Sequence, residues 1–452
     1  MLLSILQTLL VPKLLGTTEY GYWQLFIFYQ SYVGFAHFGL NDGVYLINGG
    51  KSRSVIDKKN VNSQFAFSIC FELIIATVIV VIACFGGFEA DREFVIACTG
   101  FFLVIQNAAM YLSYLLQAMN ETRKSSYSSI VERLSFLVPL LVLLVGHCQS
   151  FRPFVIAYIF SSVCQLVYCS WHCRDFIKSG LLSPSRAIAE SLSSIQVGFK
   201  LMMANIASSL ILGIVRFAID ATWGIDTFGQ LSFALSMVNF FFAFINQASM
   251  VLFPALRQSN ATEIKSFFIN ARDVMSLTFP IVYILYFPMV WLLDLWLPKY
   301  ASSFIFFIFL IPLCVFDSKM SICCGTFFKV LRKEGKLLRV NLWACAASAL
   351  ITALGIYVFQ SIFFIIGGVV IAIIGRSLWS ERYIARYLEV GDNRDLTVGE
   401  FLLTGVFVSM ALLLPRAIAM IVYTCAYAVF LACFRQKARV LLAKANRLTL
   451  KD

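Results

Sequence analysis

Between Gln64 and Gly86 the chain reads QFAFSICFELIIATVIVVIACFG, a 23-residue run whose single charged side chain is Glu72. About 20 consecutive apolar residues, rising 1.5 Å each, cross the roughly 30 Å hydrocarbon core of a bilayer as one helix. A helix is the form such a run must take there, because it satisfies its own N–H and C=O groups where no water can.

Outward from this run the pattern repeats. Apolar stretches bounded by polar or charged residues precede it at Met1–Leu15 and Trp23–Ile47 and follow it at Phe94–Met119, Tyr127–Val145 and Pro153–Trp171. The second half adds Val197–Ala218, Phe228–Leu256, Val274–Leu297, Ser303–Phe328, Val340–Phe359, Ile362–Trp379, Phe401–Leu414 and Ala417–Phe434. These runs predict an all-α, polytopic membrane protein of about 14 transmembrane helices. Spans on that scale use roughly 280 residues, which leaves only connectors out of 452. The composition agrees: 60% hydrophobic, 13% charged and a mean hydropathy of +0.83. A water-soluble exterior cannot hide that much apolar surface.

Charge orients the spans. With a cytoplasmic N-terminus and strict alternation, 28 lysines and arginines fall in inside connectors and the C-terminal tail, against 5 in outside connectors. The inside set includes Arg53 and Lys58, Arg272, Arg376 and the tail from Arg435 onward. This bias places both termini in the cytoplasm. It also accounts for most of the net charge of +12, so no nucleic-acid partner is expected. The tail, Arg435–Asp452, mixes its charges with Val440, Leu441, Leu442 and Leu448. That is the pattern of an amphipathic helix lying on an anionic leaflet.

Most of the 13 cysteines sit inside apolar runs, as Cys70, Cys84, Cys98, Cys164, Cys323, Cys324, Cys345 and Cys425 do, and read as small hydrophobes. The histidines are His37, His147 and His172. His172 beside Cys173 lacks a second pair at zinc spacing, so no metal site and no cofactor are expected. No basic n-region or cleavage site precedes the first apolar run, so no signal peptide is expected.

An internal repeat divides the chain. Gly16-Thr-Thr-Glu-Tyr20-Gly21 and Gly224-Ile-Asp-Thr-Phe228-Gly229 share spaced glycines around an aromatic residue, each in an outside connector before a long Phe-rich span. Six spans lie between them, so the halves are parallel repeats, with a substrate path expected where the halves meet. The organisation expected is a six-helix bundle over residues 1–196, a second over 197–396, two further helices over 397–434, and a basic tail over 435–452.

Ionisable groups inside spans are costly and face a cavity or a partner. Glu72, Arg216 with Asp220, and Asp317 with Lys319 are such groups; Glu132 and Arg133 lie near a span boundary, where a structural role is expected. Asn205, Ser209 and Arg216 fall at helical spacing on one face of the seventh span. Ser232, Ser236, Asn239 and Asn246 form a stripe on the eighth. Arg216, Lys319, Asn205, Ser209, Asn239 and Asn246 are therefore the substrate-lumen candidates. Glu72 and Asp317 are the ion-coupling candidates. Polar stripes also serve as interhelical glue, and Arg216 with Asp220 also reads as an interfacial i,i+4 ion pair. A cation-lined passage suits an anionic substrate such as a pyrophosphate-linked lipid carrier.

Leu10-Val-Pro-Lys-Leu-Leu-Gly16 through Glu19-Tyr-Gly21, Gly198-Phe-Lys-Leu-Met-Met-Ala-Asn205, and Phe228-Gly-Gln-Leu-Ser-Phe-Ala-Leu-Ser236 leading to Val251-Leu-Phe-Pro254 stand in sequence order. In this the chain resembles the Wzx-type polysaccharide-biosynthesis (O-antigen repeat-unit) flippases of the multidrug/oligosaccharidyl-lipid/polysaccharide exporter superfamily. The resemblance implies translocation of undecaprenyl-diphosphate-linked oligosaccharide units across a bacterial inner membrane, with membrane lipids, a polysaccharide polymerase and chain-length proteins as partners. It places Arg216 and Lys319 as phosphate or acidic-sugar contacts. Relatives carry more residues before the first phrase, so the first span is expected to be clipped; they also often carry an acidic residue where this chain has Val215. A cation-coupled small-molecule or drug exporter of the same superfamily is the alternative, but it should prefer acidic lumen groups. A polysaccharide polymerase needs a large external loop, whereas the outside connectors here are only about 5–12 residues long. The protein is therefore expected not to be an enzyme, and no catalytic residue is assigned.

Overall fold

The apolar runs fold as helices in the computed structural model, which describes residues 2–258, 260–391 and 393–437; side chains at 2–7, 201, 204, 243–258, 261 and 334 are outside the description. The basic tail expected to lie on the membrane thus falls mostly outside the described residues, and so does the side chain of Asn246. Two compact units divide the chain, Met1–Ile206 and Ala207–Asp452.

The first unit contains α1 (Leu2–Leu14), α2 (Thr17–Gln30), α3 (Leu40–Asn48), α4 (Lys58–Phe85), α5 (Ala90–Ala118), α6 (Thr122–Val145), α7 (Arg152–His172), α8 (Arg174–Ile177) and the start of α9 (Pro184–Gln258). The run expected as one span from Trp23 to Ile47 is broken. After α2 comes a 3-10 turn at Val33–His37, then Phe38 and Gly39 at φ 49° and 90° before α3 begins. Gly39 suits the left-handed backbone, and space demands it as well. A Cβ there would lie 2.8 Å from the Gly198 carbonyl carbon, and one on Gly198 would lie 2.0 Å from the Gly39 oxygen. Gly43 meets Ser194 as closely. Small residues four apart on both helices let the two backbones touch, which apolar bulk would prevent.

α4 shows how membrane and core divide one helix. Leu73, Ile74, Val78, Val81 and Ile82 are exposed along one face, whereas Ser68, Glu72, Ala76 and Ala83 are buried on the other. Elsewhere in the unit, Trp23, Phe26, Phe102, Phe136 and Tyr158 pack as an aromatic core with ring centroids 5.5–6.0 Å apart. At the Lys/Arg-rich end, Arg53 clamps three connectors. It bonds Glu121 at 2.9 Å, Asp175 at 2.5 Å and the His172 carbonyl, and lies over the Phe176 ring. The Arg53 and Lys58 hydrogen bonds hold the Asp175 carboxyl well below the usual range.

In the second unit α9 reverses direction. Gly224 has φ 79° inside the helical run, and Arg216 Nη2 donates to Ser232 Oγ at 3.0 Å. On an unbroken helix residues 216 and 232 would stand about 24 Å apart. α9 is therefore a hairpin of two antiparallel arms, 184–223 and 225–258, as the expected seventh and eighth spans require. Gly16, in the matching phrase, likewise sits at a helix break, immediately before α2.

The remaining helices are α10 (Ala261–Thr278), α11 (Val282–Trp296), α12 (Phe304–Leu310), α13 (Pro312–Lys319), α14 (Thr326–Val330), α15 (Glu334–Tyr357), α16 (Ile362–Tyr387), α17 (Arg394–Leu413) and α18 (Arg416–Cys433). α10 opens on a reciprocal cap between Asn260 and Glu263. The expected tenth span bends by 41° where Pro312 opens α13, since proline removes a backbone donor. It continues through a π-helical turn, Met320–Gly325, into α14. α17 and α18 belong to the core of this unit. Tyr283 stacks on Phe407 at 4.6 Å, and Tyr423 and Tyr427 donate to the carbonyls of Pro280 and Leu277.

Among the described residues, ten helices are long and apolar enough to cross a membrane, or eleven with the bent pair. α9 counts there as one span, and the Gly224 reversal makes it two. The protein is an all-α, multi-pass membrane protein.

Candidate functional site

Arg216 is half-buried on the first arm of α9. Besides its bond to Ser232, its guanidinium lies 5.1 Å from the centroid of the Phe228 ring. Phe228 belongs to the repeated glycine–aromatic phrase, so the reversal that the phrase imposes is also what puts a ring under the cation. A cavity of about 10 Å³ adjoins Arg216 between Leu212, Leu231, Leu310 and Val369, barely room for one water. Ser209 on the same arm and Asn239 on the other are exposed on the surface of the unit, while Ser232 is buried. Asn205 is exposed in the first unit's share of the first arm. The structure thus joins Arg216 to Ser232 and leaves Ser209, Asn239 and Asn205 at the surface of their own units.

Lys319 lies elsewhere in the second unit. It is 1% exposed, and its Nζ donates to Glu400 Oε2 at 2.9 Å and Ser276 Oγ at 2.8 Å, with Glu381 Oε2 at 3.0 Å. Arg272 reaches Glu381 at 3.9 Å and Asp273 at 3.1 Å. α10, α13, α16 and α17 each contribute to this network. Two carboxylates and a hydroxyl around one ammonium leave it no free donor direction toward a ligand. Lys319, expected as a lumen cation, cross-links the bundle in this structure.

The expected pairing of Lys319 with Asp317 is corrected as well. Asp317 pairs with Arg376, which is itself 7% exposed and also bonds Ser208 and Asn341. Asp317, expected as an ion-coupling carboxylate, therefore carries a structural arginine. Arg376 and Arg272, which the charge pattern assigns to connectors, are buried inside α16 and α10. Hydropathy ends the twelfth span at Trp379, but α16 runs to Tyr387, which brings Glu381 inside a helix. α17 likewise starts seven residues before Phe401 and so encloses Glu400. The available signal was a single acid, Glu381, set among Arg376, Arg382 and Arg386.

Glu72 is the buried acid of the first unit. It is 0% exposed, and Ser68 Oγ donates to its Oε1 at 2.9 Å from one turn earlier. The Asn107 side chain on α5 faces the same carboxyl. Asn107 Nδ2 donates to the Val33 carbonyl at 3.0 Å, and Asn41 Nδ2 to the Asn107 carbonyl at 3.3 Å. Both asparagines are fully buried. Among the described residues no lysine or arginine pairs with Glu72, and no group of three or more His, Cys, Asp or Glu gathers as a metal site.

The fold is similar to that of solved MOP-superfamily transporters. The chain superposes on a lipid II flippase, MurJ, in an inward closed conformation with a TM-score of 0.62, 11% identity and coverage of 97% of both chains. It superposes on an inward-facing multidrug resistance MATE family transporter of that superfamily with a TM-score of 0.61 and 11% identity, covering 86% of this chain and 95% of the other. A further MATE structure, a ligand complex, gives 0.51 at 12% identity, with 85% and 96% covered. No family model matches the sequence, and no curated protein matches it.

Proposed function

We propose that the protein is a flippase that moves undecaprenyl-diphosphate-linked oligosaccharide repeat units across the bacterial inner membrane by alternating access. Its product would serve surface polysaccharide synthesis: O-antigen, capsule or exopolysaccharide. The observation that carries this reading is the end-to-end likeness to a lipid II flippase, 97% of each chain against 86% of this chain for the drug transporter. Arg216 supports it, because a half-buried guanidinium held by a ring and a hydroxyl presents planar donors suited to phosphate oxygens. In this reading Arg216 contacts the diphosphate, and Ser209, Asn205 and Asn239 line the sugar path on their own units. In this reading the chain forms the two six-helix bundles and two further helices expected from the sequence, with cytoplasmic termini, and the prenyl tail stays in lipid.

The test is a strain lacking the gene, scored for where lipid-linked oligosaccharide accumulates. Complete units held on the cytoplasmic leaflet, released by the intact gene and not by Arg216→Ala, support the proposal. Normal delivery of units with failed chain growth would replace it with a polymerase. Unchanged lipids would replace it with a small-molecule exporter.

A further inference from the structure

We propose that the Lys/Arg-rich end of α7 holds the headgroup of an anionic phospholipid, its phosphate on Arg174 and an acyl chain along the apolar face of the helix. The starting point is an open cavity of about 340 Å³, lined by Arg53, Trp171, His172, Arg174 and Asp175. That volume falls within the range of small-molecule sites, roughly 300–1,000 Å³. The place is a boundary: α7 ends at His172 and α8 opens on Arg174, so apolar span gives way to charge within three residues.

The charges around the cavity are of two kinds. Arg53 spends its donors on Glu121, Asp175 and the His172 carbonyl, and Lys58 Nζ stands 2.8 Å from Asp175. Asp175 is thus neutralised by two cations and does not repel an anion. Glu121 has a second cation, Lys124, at 2.9 Å. Arg174 differs. It is exposed, its Cζ lies over the Trp171 ring at 5.2 Å from the centroid, and it makes no hydrogen bond or ion pair with the described residues. The indole engages the face of the guanidinium and orients it. The N–H donors remain open, and a phosphate is a group that this planar fork fits. Four cations face two carboxylates here, so the cluster keeps a positive charge.

The surface beside the cavity selects a lipid over a soluble anion. Ile156, Phe160, Val167 and Trp171 are all exposed, and their spacing places them on one face of α7 that ends at Arg174. On a membrane-spanning helix such a face meets acyl chains, and a tryptophan at its end sits at headgroup level. A soluble anion would touch only the arginine. A phospholipid with a net negative charge meets the arginine with its phosphate and the stripe with its tail, and basic side chains at that level favour anionic over zwitterionic headgroups. The inference concerns binding alone and is independent of what the protein translocates.

The test is native mass spectrometry of the purified full-length protein in detergent, titrated with phosphatidylglycerol or with phosphatidylcholine of the same acyl chains. The expected result is a saturable phosphatidylglycerol site, tighter than any for phosphatidylcholine and weakened by salt. Arg174→Gln and Trp171→Ala should each weaken it roughly fivefold or more, and Trp171→Phe should restore part of the loss by returning a ring to the guanidinium. Arg386→Gln, which removes an exposed arginine at the end of α16 in the second unit, should change nothing. Both site residues are exposed, so the variants should melt with the parent. Equal affinity for the two lipids, or undiminished phosphatidylglycerol binding in Arg174→Gln and Trp171→Ala, would overturn the site. Displacement of phosphatidylglycerol by millimolar inorganic phosphate would overturn the lipid in favour of a soluble anion. Displacement by an equimolar prenyl diphosphate would overturn it in favour of the lipid carrier.

Discussion

Replacing Lys319 with methionine keeps the length and apolar stem of the side chain while deleting the charge between Glu381 and Glu400. Arg272 still stands 3.9 Å from Glu381, so the group left without a cation is Glu400, which is 0% exposed. Removing one partner of a buried ion pair costs about 3–5 kcal/mol, because the survivor can neither be solvated nor neutralised cheaply. At roughly 2 °C per kcal/mol for a unit of this size, Lys319→Met should melt about 6–10 °C below the parent in detergent. Lys319→Met/Glu400→Gln removes the stranded charge as well and should recover at least half of the loss, since buried pairs are often replaceable by neutral groups. Melting and gel-filtration profiles of the three proteins decide the matter. A single variant within about 2 °C of the parent, or a double variant no better than the single, would refute the assignment of Lys319 as a structural cross-link.

Gly198→Ala tests the backbone contact in the first unit. Its new Cβ would sit 2.0 Å from the Gly39 oxygen, so overpacking of about 1–3 kcal/mol or more is expected as a lower melting temperature. The Arg53 clamp should make stability acid-sensitive. Asp175 is held below its ordinary value, so its contribution is complete above about pH 4 and is lost as the pH falls further. Denaturation followed from pH 5 to 2 should show that loss in the parent and a smaller one in Arg53→Ala. Arg216→Ala should slow oligosaccharide translocation in proteoliposomes at least tenfold with little change in melting, and Arg216→Lys should restore only part of the rate, because lysine lacks the planar fork. Equal rates in all three proteins would remove Arg216 from the path.

The helical, membrane-spanning character and the order of the parts are legible in the sequence. Runs such as Gln64–Gly86 have one stable form in hydrocarbon, and Gly224 marks a connector between two of them. The sequence also singled out Glu72, Arg216, Lys319 and Asp317, because charge inside an apolar run is legible without a fold. Their partners were not legible. Lys319 and Asp317 stand two residues apart yet take different partners, Glu381 and Glu400 against Arg376, since an ion pair is chosen by which faces meet. Glu381 and Glu400 were hidden because hydropathy ended their spans early, where the helices in fact continue on buried hydrogen-bonded charge. The same limit applies to Asn41 and Asn107. What a buried asparagine bonds is fixed only when tertiary packing brings its partners to it.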